Sequence, residues 1–419
     1  MRKTVSVLTG LAIALSASTG AMAADLRFSW WGGDARHEAT QQAAALCGEK
    51  LGHNISPEFG GFGGYQEKLT TQLAGSTEPD LMQVNWPWLP LMSKNGDGFA
   101  DLSGFAALDT SNWPDAVLET GTRNGKLNGL PVSTTGRVFF VNKTAFEEAG
   151  IAVPTTWQEL IDATPAFKQA HGEDAYPFYA TGLDAVLIVS LVVAQQTGKD
   201  LVDPATNTVA WTPDELAAGL EFYQSLVDSG TISSWADAAA AGNTNLYERP
   251  DWIEGRIGSA YQWDSTYSQY AGPLAEGQEL VPVKLLTVDG AQSEGVYRKP
   301  SMVWSISKNS PNQEAAAEVL NCLVNDPEAI AIMAGHRGLP ANANAATQLL
   351  ESGGISPEVV EANGFVMAAS GPTVSPYNED PEVRDIFQST LEEFAYGQLS
   401  AADAAQIIVD GVNERLAEL

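Results

Sequence analysis

Aromatic residues repeatedly lie beside short polar side chains where predicted strands end. The stretch LRFSWWGGDARHEAT, residues 26–40, places Trp31 before Asp34, Arg36 and His37. The other loops of this kind carry Phe62, Asn85, Trp86, Trp263 and Asp264, with Trp304 near a further strand. Sugars present weakly apolar C–H faces and hydroxyl rims, so they stack on aromatic rings and hydrogen-bond to fixed Asp, Asn and Arg groups. This residue chemistry predicts a carbohydrate-binding site.

Each aromatic residue also has a structural interpretation. A single Trp in a strand is more often a core residue than a ligand-binding surface, and side chains alternate along a strand, so Trp30 and Trp31 cannot face the same environment. Three further tryptophans follow turn or capping signals and are expected to be structural: Trp113, Trp157 and Trp211. The sequence alone does not decide which rings face a ligand.

The elements that must position these loops alternate along the chain. Strands are predicted at 26–30, 54–59 and 81–84, and helices at 37–50 and 65–74. The pattern restarts after 129–131, with strands at 138–141, 256–262 and 302–306 and helices at 183–194, 213–229 and 311–324. Such alternation predicts an α/β fold with parallel sheets covered by helices. Ligands bind beyond the carboxyl ends of the strands in open sheets of this kind, which is where the aromatic loops fall.

The first residues have the features of a secretory signal peptide. Arg2 and Lys3 precede an apolar run at 5–15, and Ala21-Met22-Ala23 forms a small-residue cleavage pattern. We predict a signal peptide at 1–23 that is cleaved after Ala23. No cysteine lies directly at the predicted cut, so no lipid anchor is expected, and the mature chain is expected in a periplasm.

The charge balance restricts the partners. The chain carries 52 Asp and Glu against 22 Lys and Arg, a formal net charge of −30. This balance argues against nucleic acid and anionic lipid surfaces as partners, but it does not exclude a small anionic ligand. A mature chain of about 400 residues is longer than a single core usually supports and predicts two domains.

Cys47 and Cys322 are the only cysteines. An oxidising compartment favours one disulfide between them, and the alternative is two separate buried thiols. The sequence leaves both possibilities open.

Four stretches, taken in this order, resemble the large sugar-binding family of extracellular solute-binding proteins of ABC importers, which includes maltose-binding protein. They are SWWGGDARHEAT, YQEKLTTQLAGSTEPDLMQVNWPWLP, VFFVNKTAFEEAGIAVPTTWQEL and ISKNSPNQEAAAEVLNCLVNDPEA. The resemblance implies a two-lobed periplasmic binding protein fold of type II, with three crossings between lobes that close like a clamshell. It places 24–131 and 300–340 in lobe 1, and 132–299 and 341–419 in lobe 2. Both cysteines then fall in lobe 1.

The same resemblance implies the site and the partners. The family's ligand loops fall on Trp31 and Asp34, on Asn85 and Trp86, and on Trp263 and Asp264. Further candidates are Tyr179 and Asp184 in the loop 179–184, and Tyr377 in the segment 375–378. The implied partners are a carbohydrate and the membrane permease of an ABC transporter, with the binding protein acting as a monomer.

One stretch of the sequence indicates a narrower class of carbohydrate ligand. The run KNGDGFADL is similar to the branch of the family that takes up pectin-derived oligogalacturonides. In that interpretation Arg36, His37, Arg137 or Lys299 pairs with uronate carboxylates, because guanidinium groups bind carboxylates through two hydrogen bonds. The alternative for each is a surface salt bridge in a very acidic protein.

The main rival function is a periplasmic carbohydrate-active enzyme, either a glycoside hydrolase or a polysaccharide lyase. Hydrolysis needs two carboxylates at a defined separation, and the chain has many carboxylates, so composition does not decide. A metal carrier is a weaker alternative, because the histidines at 37, 53, 171 and 336 lack the close spacing of a transition-metal site. We expect no catalysis, no cofactor and no metal.

Overall fold

The computed structural model describes residues 23–240, 242 and 245–419, so nearly all of the predicted signal peptide lies outside it. In chain order its strands are β1 (Asp25–Trp31), β2 (Asn54–Gly60), β3 (Leu81–Asn85), β4 (Thr122–Arg123), β5 (Lys126–Leu127), β6 (Leu130–Pro131), β7 (Thr134–Asn142), β8 (Val202–Asp203), β9 (Thr208–Val209), β10 (Ser259–Trp263), β11 (Leu280–Val283), β12 (Arg298–Pro300) and β13 (Met302–Ile306).

The helices of the amino-terminal half are α1 (Asp34–Leu51), α2 (Tyr65–Ala74), α3 (Leu89–Met92), α4 (Asp115–Thr120), α5 (Lys143–Glu148), α6 (Trp157–His171), α7 (Leu183–Thr197) and α8 (Pro213–Asp228). Those that follow are α9 (Trp235–Ala240), α10 (Pro250–Ile253), α11 (Tyr267–Ala271), α12 (Gln313–Asn325), α13 (Pro327–Met333), α14 (Ala343–Ser352), α15 (Pro357–Ala368), α16 (Pro381–Ala395) and α17 (Ala401–Glu418). Within the described residues, no helix combines the length and the apolar composition that a membrane span requires.

The first lobe is built on a five-stranded sheet with the order β2-β1-β3-β13-β6. Strands β2 and β3 run parallel to β1, while β13 runs antiparallel to β3 and β6. Alternation along β1 sends Trp30 to a core formed with α1 and α12, and Trp31 to a second core formed with α2 and α3. Helices therefore cover both faces of this sheet, as predicted.

The second lobe contains a sheet centred on β7. Strands β10 and β11 flank β7, and β12 pairs with its first residues, all three in antiparallel register. The prediction of a parallel sheet is therefore wrong for this lobe. The physical reason is that the chain enters the lobe along its central strand, and the strands that later pair with β7 run back towards the first lobe.

Three passages of the chain join the lobes and hydrogen-bond to one another. Between β6 and β7, Val132 donates its N–H to the carbonyl of Met302 at 3.0 Å, and Ser301, between β12 and β13, donates to the carbonyl of Ser133 at 2.9 Å. In the third passage Ala341 donates to the carbonyl of Val132 at 2.9 Å. The two-lobed α/β architecture with three crossings is therefore confirmed.

Helix packing and a disulfide add detail to the description of the first lobe. Helix α14 packs on α12 and α13, whereas α15 packs on β7 and β11 of the second lobe. The third passage therefore extends from Ala341 through α14, which packs on the first lobe, to α15, which packs on the second lobe. In addition, Cys47 of α1 and Cys322 of α12 form a disulfide that joins two helices on the same face of the sheet.

Candidate ligand-binding cleft

The lobes meet where two short 3₁₀ turns contact each other. One turn, Trp86–Trp88, follows β3 directly, and the other, Pro376–Glu379, precedes α16 in the second lobe. Glu379 accepts an ion pair from Lys299 at 2.7 Å, and the Lys299 ammonium lies 5.0 Å from the ring centroid of Trp263. This series of contacts brings the carboxyl end of β3 towards the end of β10.

Trp263 and two cations form the centre of the second lobe's cleft-facing end. Trp263 is half-buried and pairs with Arg137 across the β10–β7 ladder, which places the guanidinium carbon 5.2 Å from the ring centroid. Arg137 donates to Asp184 at 2.8 Å and to the carbonyl of Tyr261 at 2.6 Å. The Arg137 Nε is buried and has no hydrogen-bond partner among the described residues. The ring is thus held in a positive environment.

The second cation of this group, Lys299, is fixed by a buried ion pair with Glu379. The side chains of Lys299 and Glu379 are each 6% exposed, and Glu379 also accepts from the Tyr297 hydroxyl at 3.2 Å. Arg384 lies 3.5 Å from the same carboxylate. Burial alone would raise the pKa of Glu379, but Lys299 and Arg384 hold that pKa below its ordinary value. The carboxylate therefore stays ionised and fixes both cations beside the cleft.

An aromatic recess of about 680 Å³ continues from Asp184 along the second lobe. Its rings are those of Tyr179, Tyr247, Tyr270 and Trp235. Tyr247 and Tyr270 pack edge to face at 5.5 Å. Flat rings at this spacing, with the Asp184 carboxylate at one end, offer stacking faces and a polar group to a ligand several rings long.

The first lobe contributes a second aromatic group around Trp31. The Trp31 ring lies 5.7 Å from Phe62, 5.2 Å from Tyr65 and 5.4 Å from Trp88. Trp31 is only 7% exposed, whereas Phe62 is 56% exposed and stacks on Trp88 at 5.6 Å. Of these rings, Phe62 therefore presents the most surface to solvent.

The first turn of α1 carries the remaining polar candidates. Arg36 donates to the carbonyl of His336 at 2.9 Å and to that of Trp31 at 3.4 Å. The Nδ1 atom of His37 accepts from the Trp30 indole at 3.1 Å, and Asp34 is exposed. Burial lowers the pKa of Arg36, but a guanidinium group stays protonated in proteins. A charged guanidinium, bonded to two neutral carbonyls among the described residues, therefore lies at the end of β1.

A family model matches most of this sequence. Residues 34–330 match the model described as bacterial extracellular solute-binding protein. The chain belongs to this solute-binding protein family.

Solved structures and a curated relative agree with this membership. The solute-binding protein superposes on a periplasmic solute-binding protein, ECA2210, from Pectobacterium atrosepticum SCRI1043, with a TM-score of 0.89 and 35% identity over 95% of this chain and 99% of that chain. It also superposes on a periplasmic oligogalacturonide-binding protein from Yersinia enterocolitica in complex with saturated digalacturonic acid. The TM-score of that superposition is 0.86, with 32% identity over 94% of this chain and 99% of that chain. The diacetylchitobiose-binding protein DasA of Streptomyces coelicolor is 25% identical over 63% of this chain, and that match spans 60% of DasA.

Two predicted ligand residues of the solute-binding protein have structural roles instead. Asp264 is 1% exposed, and its carboxylate accepts from Thr135 at 2.5 Å, from Asn363 at 2.6 Å and from the N–H of Ser265 at 2.7 Å. Burial raises the pKa of Asp264. This carboxylate joins β7 to α15 and is not available to a ligand.

Trp304 is the second correction. It is 0% exposed and packs on Phe28 at 5.2 Å in the core of the first lobe. Alternation along β13 turns its ring towards α12 rather than towards the cleft. Trp86 and Tyr377 are also buried, but they lie in the two turns at which the lobes meet. Asn85 is half-buried at the end of β3.

Several cleft residues escaped the sequence analysis. They are Tyr247, Tyr270, Tyr297, Glu379 and Arg384, and Trp88 was left out of the candidates because it could cap a helix. Glu379 stands two residues after the predicted Tyr377, and Trp88 two residues after the predicted Trp86, so proximity in sequence was an available signal for both. Tyr247 and Tyr270 follow no predicted strand and gave no such signal. The described residues contain no group of three or more His, Cys, Asp or Glu side chains placed to hold a metal ion.

Proposed function

We propose that this solute-binding protein captures an acidic oligosaccharide of the oligogalacturonide type between its two lobes. The observation that carries the proposal is the Trp263 ring with Arg137 and Lys299 beside it. An aromatic face flanked by two cations matches a uronic acid, which has an apolar pyranose face and one carboxylate. The digalacturonic acid ligand of the Yersinia relative supports the same chemistry.

The distribution of charge supports an anionic ligand. The whole chain has a formal net charge of −30, yet Arg36, Arg137, Lys299 and Arg384 gather around the cleft. The three cations of the second lobe outnumber the two carboxylates that pair with them, Asp184 and Glu379. A positive cleft in an acidic protein attracts a small anion while the outer surface repels polyanions. His37, which the Trp30 indole orients, is a further candidate contact.

The recess along the second lobe supports an oligomeric ligand. Tyr179, Tyr247 and Tyr270 extend the aromatic surface away from Trp263, on the far side of Asp184. A volume of about 680 Å³ exceeds what one pyranose ring needs, which favours two or more sugar rings. In this account Phe62 and Asn85 of the first lobe cover the sugar when the lobes close, and ligand contacts in both lobes shift the population towards the closed state.

The family membership extends the proposal to location and partners. We propose that the predicted leader sends the chain to the periplasm, that it is cleaved after Ala23, and that the closed monomer delivers its ligand to the permease of an ABC transporter. These steps are tested by processing of the exported chain and by ligand uptake in cells that carry or lack the protein.

We also propose that the protein binds sugar without cleaving it. Glycoside hydrolysis needs a carboxylic acid with a raised pKa beside the scissile bond. Here Asp184 and Glu379 are paired with cations, the pKa of Glu379 is lowered, and the carboxylate of Asp264 is saturated with donors. Incubation with trigalacturonic acid is expected to return the trisaccharide intact, and shorter products would favour the enzyme alternative.

Calorimetric titration tests the ligand class. We expect trigalacturonic acid to bind with a dissociation constant in the micromolar range or tighter, as is usual for stacking combined with charge-assisted hydrogen bonds. Maltotriose serves as the neutral control of the same length and is expected to bind at least about 100-fold more weakly. Tight binding of maltotriose with no signal from galacturonides would reject the proposal.

A further inference from the structure

Among the residues that the structure describes, Arg337 is a buried cation without a carboxylate partner. It is 6% exposed, and its guanidinium donates to the Gln83 amide oxygen at 2.9 Å and to the Thr40 hydroxyl at 2.9 Å. The guanidinium carbon lies 4.8 Å from the ring centroid of Trp304. Arg337 forms no salt bridge among the described residues, which means that no carboxylate oxygen there lies within 4 Å of its guanidinium nitrogens. Burying a charge without a counter-charge costs folding free energy, so Arg337 is unfavourable for the stability of the ligand-free protein.

A second cation of the same kind lies beside it. Arg36 is bonded to the carbonyls of Trp31 and His336 and likewise forms no ion pair among the described residues. Burial lowers the pKa of Arg337, and the charge of Arg36 lowers it further. The pKa of His336 is lowered first by burial and then by the two arginines. The two guanidinium groups therefore repel each other, and no ion pair among the described residues offsets either charge.

Arg337 is connected to both the cleft and the crossings. The Gln83 side chain that accepts from Arg337 donates to the carbonyl of Trp31 at 3.3 Å, the same carbonyl that Arg36 contacts. The backbone carbonyl of Arg337 accepts from the Ser133 hydroxyl at 2.7 Å, in the first crossing. The uncompensated charge thus lies behind the end of β1, between the Trp31 loop and the passages on which the lobes close.

We propose that Arg337 is a positioning residue for ligand charge: together with Arg36 it maintains a positive potential at this end of the cleft, which a ligand carboxylate neutralises. This inference rests on the proposed function and adds to it. Arg36 forms the direct contact, and Arg337 acts through space in a region shielded from water. Acidic sugars thereby gain affinity that neutral sugars of the same shape do not, and the missing counter-charge of the free protein is supplied by the ligand.

The test compares trigalacturonic acid with its fully methyl-esterified form, which keeps the rings and loses the charges. For Arg337→Gln, we expect affinity for the acid to fall by about fivefold to tenfold, as expected for one charge acting through space, and affinity for the ester to stay within about twofold. Arg337→Lys keeps the charge and is expected to keep most of the preference. Arg27→Gln is the matched control: it removes one arginine from the other end of β1, where Arg27 pairs with Glu58, and is expected to keep the full preference.

Each outcome decides the inference. Equal losses for acid and ester in Arg337→Gln would show a purely structural role, and no loss for either would show that its charge is not sensed. If Arg337→Gln does not fold, Arg337→Met carries the test, because it keeps the length of the side chain without its charge: a weaker acid preference with unchanged ester binding supports the inference, and an unchanged preference overturns it. Failure of the proposed function looks different, since wild-type protein would then show no preference for the acid at all.

Discussion

Arg137 and Trp263 occupy opposite positions on neighbouring strands, and the guanidinium carbon lies 5.2 Å from the centre of the indole ring. The pairing is set by the register of β10 on β7, so it belongs to the framework of the second lobe. Asp184 fixes the far side of the same guanidinium at 2.8 Å. Strand register and one ion pair together give the cleft a stacking face whose charge and position are fixed before any ligand arrives.

Trp263→Ala is expected to weaken trigalacturonic acid binding by about 30-fold or more, because central aromatic residues contribute most to binding. The half-buried ring adds little to the core, so we expect the melting temperature of the ligand-free protein to fall by no more than about 3 °C. Trp157→Ala is the control: Trp157 is 1% exposed in the same lobe, and its loss is expected to cost about 3–5 kcal/mol of unfolding free energy. Comparable losses of binding and stability in Trp263→Ala would identify it as a core residue.

Glu379→Gln is expected to lower the unfolding free energy by about 3–5 kcal/mol, because it leaves the Lys299 ammonium buried without its counter-charge. Both side chains are 6% exposed, so little water reaches the pair. Chemical denaturation measures the effect, and the double variant Lys299→Met, Glu379→Gln is expected to regain part of the loss. The exposed Glu254, paired with Arg256, is the control, and Glu254→Gln is expected to change nothing measurable. A Glu379→Gln protein as stable as the wild type would contradict the importance of this pair.

Replacing both Cys47 and Cys322 by Ala is expected to lower the unfolding free energy by about 3–5 kcal/mol, because the bond closes a long loop in the unfolded chain. The two cysteines are 275 residues apart in sequence. Dithiothreitol should lower the denaturation midpoint of the wild type and leave that of the variant unchanged. Equal midpoints for oxidised and reduced wild type would refute this role.

The buried carboxylate of Asp200 is expected to make the free energy of unfolding depend on pH. Burial raises its pKa to about 6, although Ser375 and Asn378 donate to its carboxylate. Since the folded protein binds the proton more tightly than the unfolded chain, the cost of burying this charge is present above pH 6 and disappears as the pH falls. Asp200→Asn should therefore stabilise the protein more at pH 7 than at pH 5, by about 1 kcal/mol. Denaturation curves at the two pH values measure the difference, and a difference of zero or of opposite sign would contradict the assignment.

The sequence predicted β1, β2 and β3 of the first lobe well because they follow the rule of strand, helix and parallel strand, whereas β13 joins the same sheet antiparallel to β3 and β6. It failed for the sheet of the second lobe, since the order in which strands pair is set by packing of distant segments. The periodicity of the strand predicted at 256–262 could not show that its partner β7 would lie at the centre of the second-lobe sheet, whereas the family resemblance places Met302, Val303 and Trp304 of β13 in the first lobe.

The site was predicted in part for similar reasons. Trp263, Arg137 and Asp184 lie together as predicted loops and strand ends would place them. Asp264 was indistinguishable from a ligand residue in sequence, because its partners Thr135 and Asn363 are more than 90 residues away along the chain. Arg337 was missed because nothing local indicates that a charged residue after His336 will be buried.

The most direct test of the central claim is a crystal structure of the protein with trigalacturonic acid. We expect one pyranose ring stacked on Trp263, and carboxylates at about 2.7–2.9 Å from Arg137, Lys299 or Arg36. A sugar bound outside the interlobe cleft, or one whose hydroxyl groups rather than carboxylates face these cations, would contradict it.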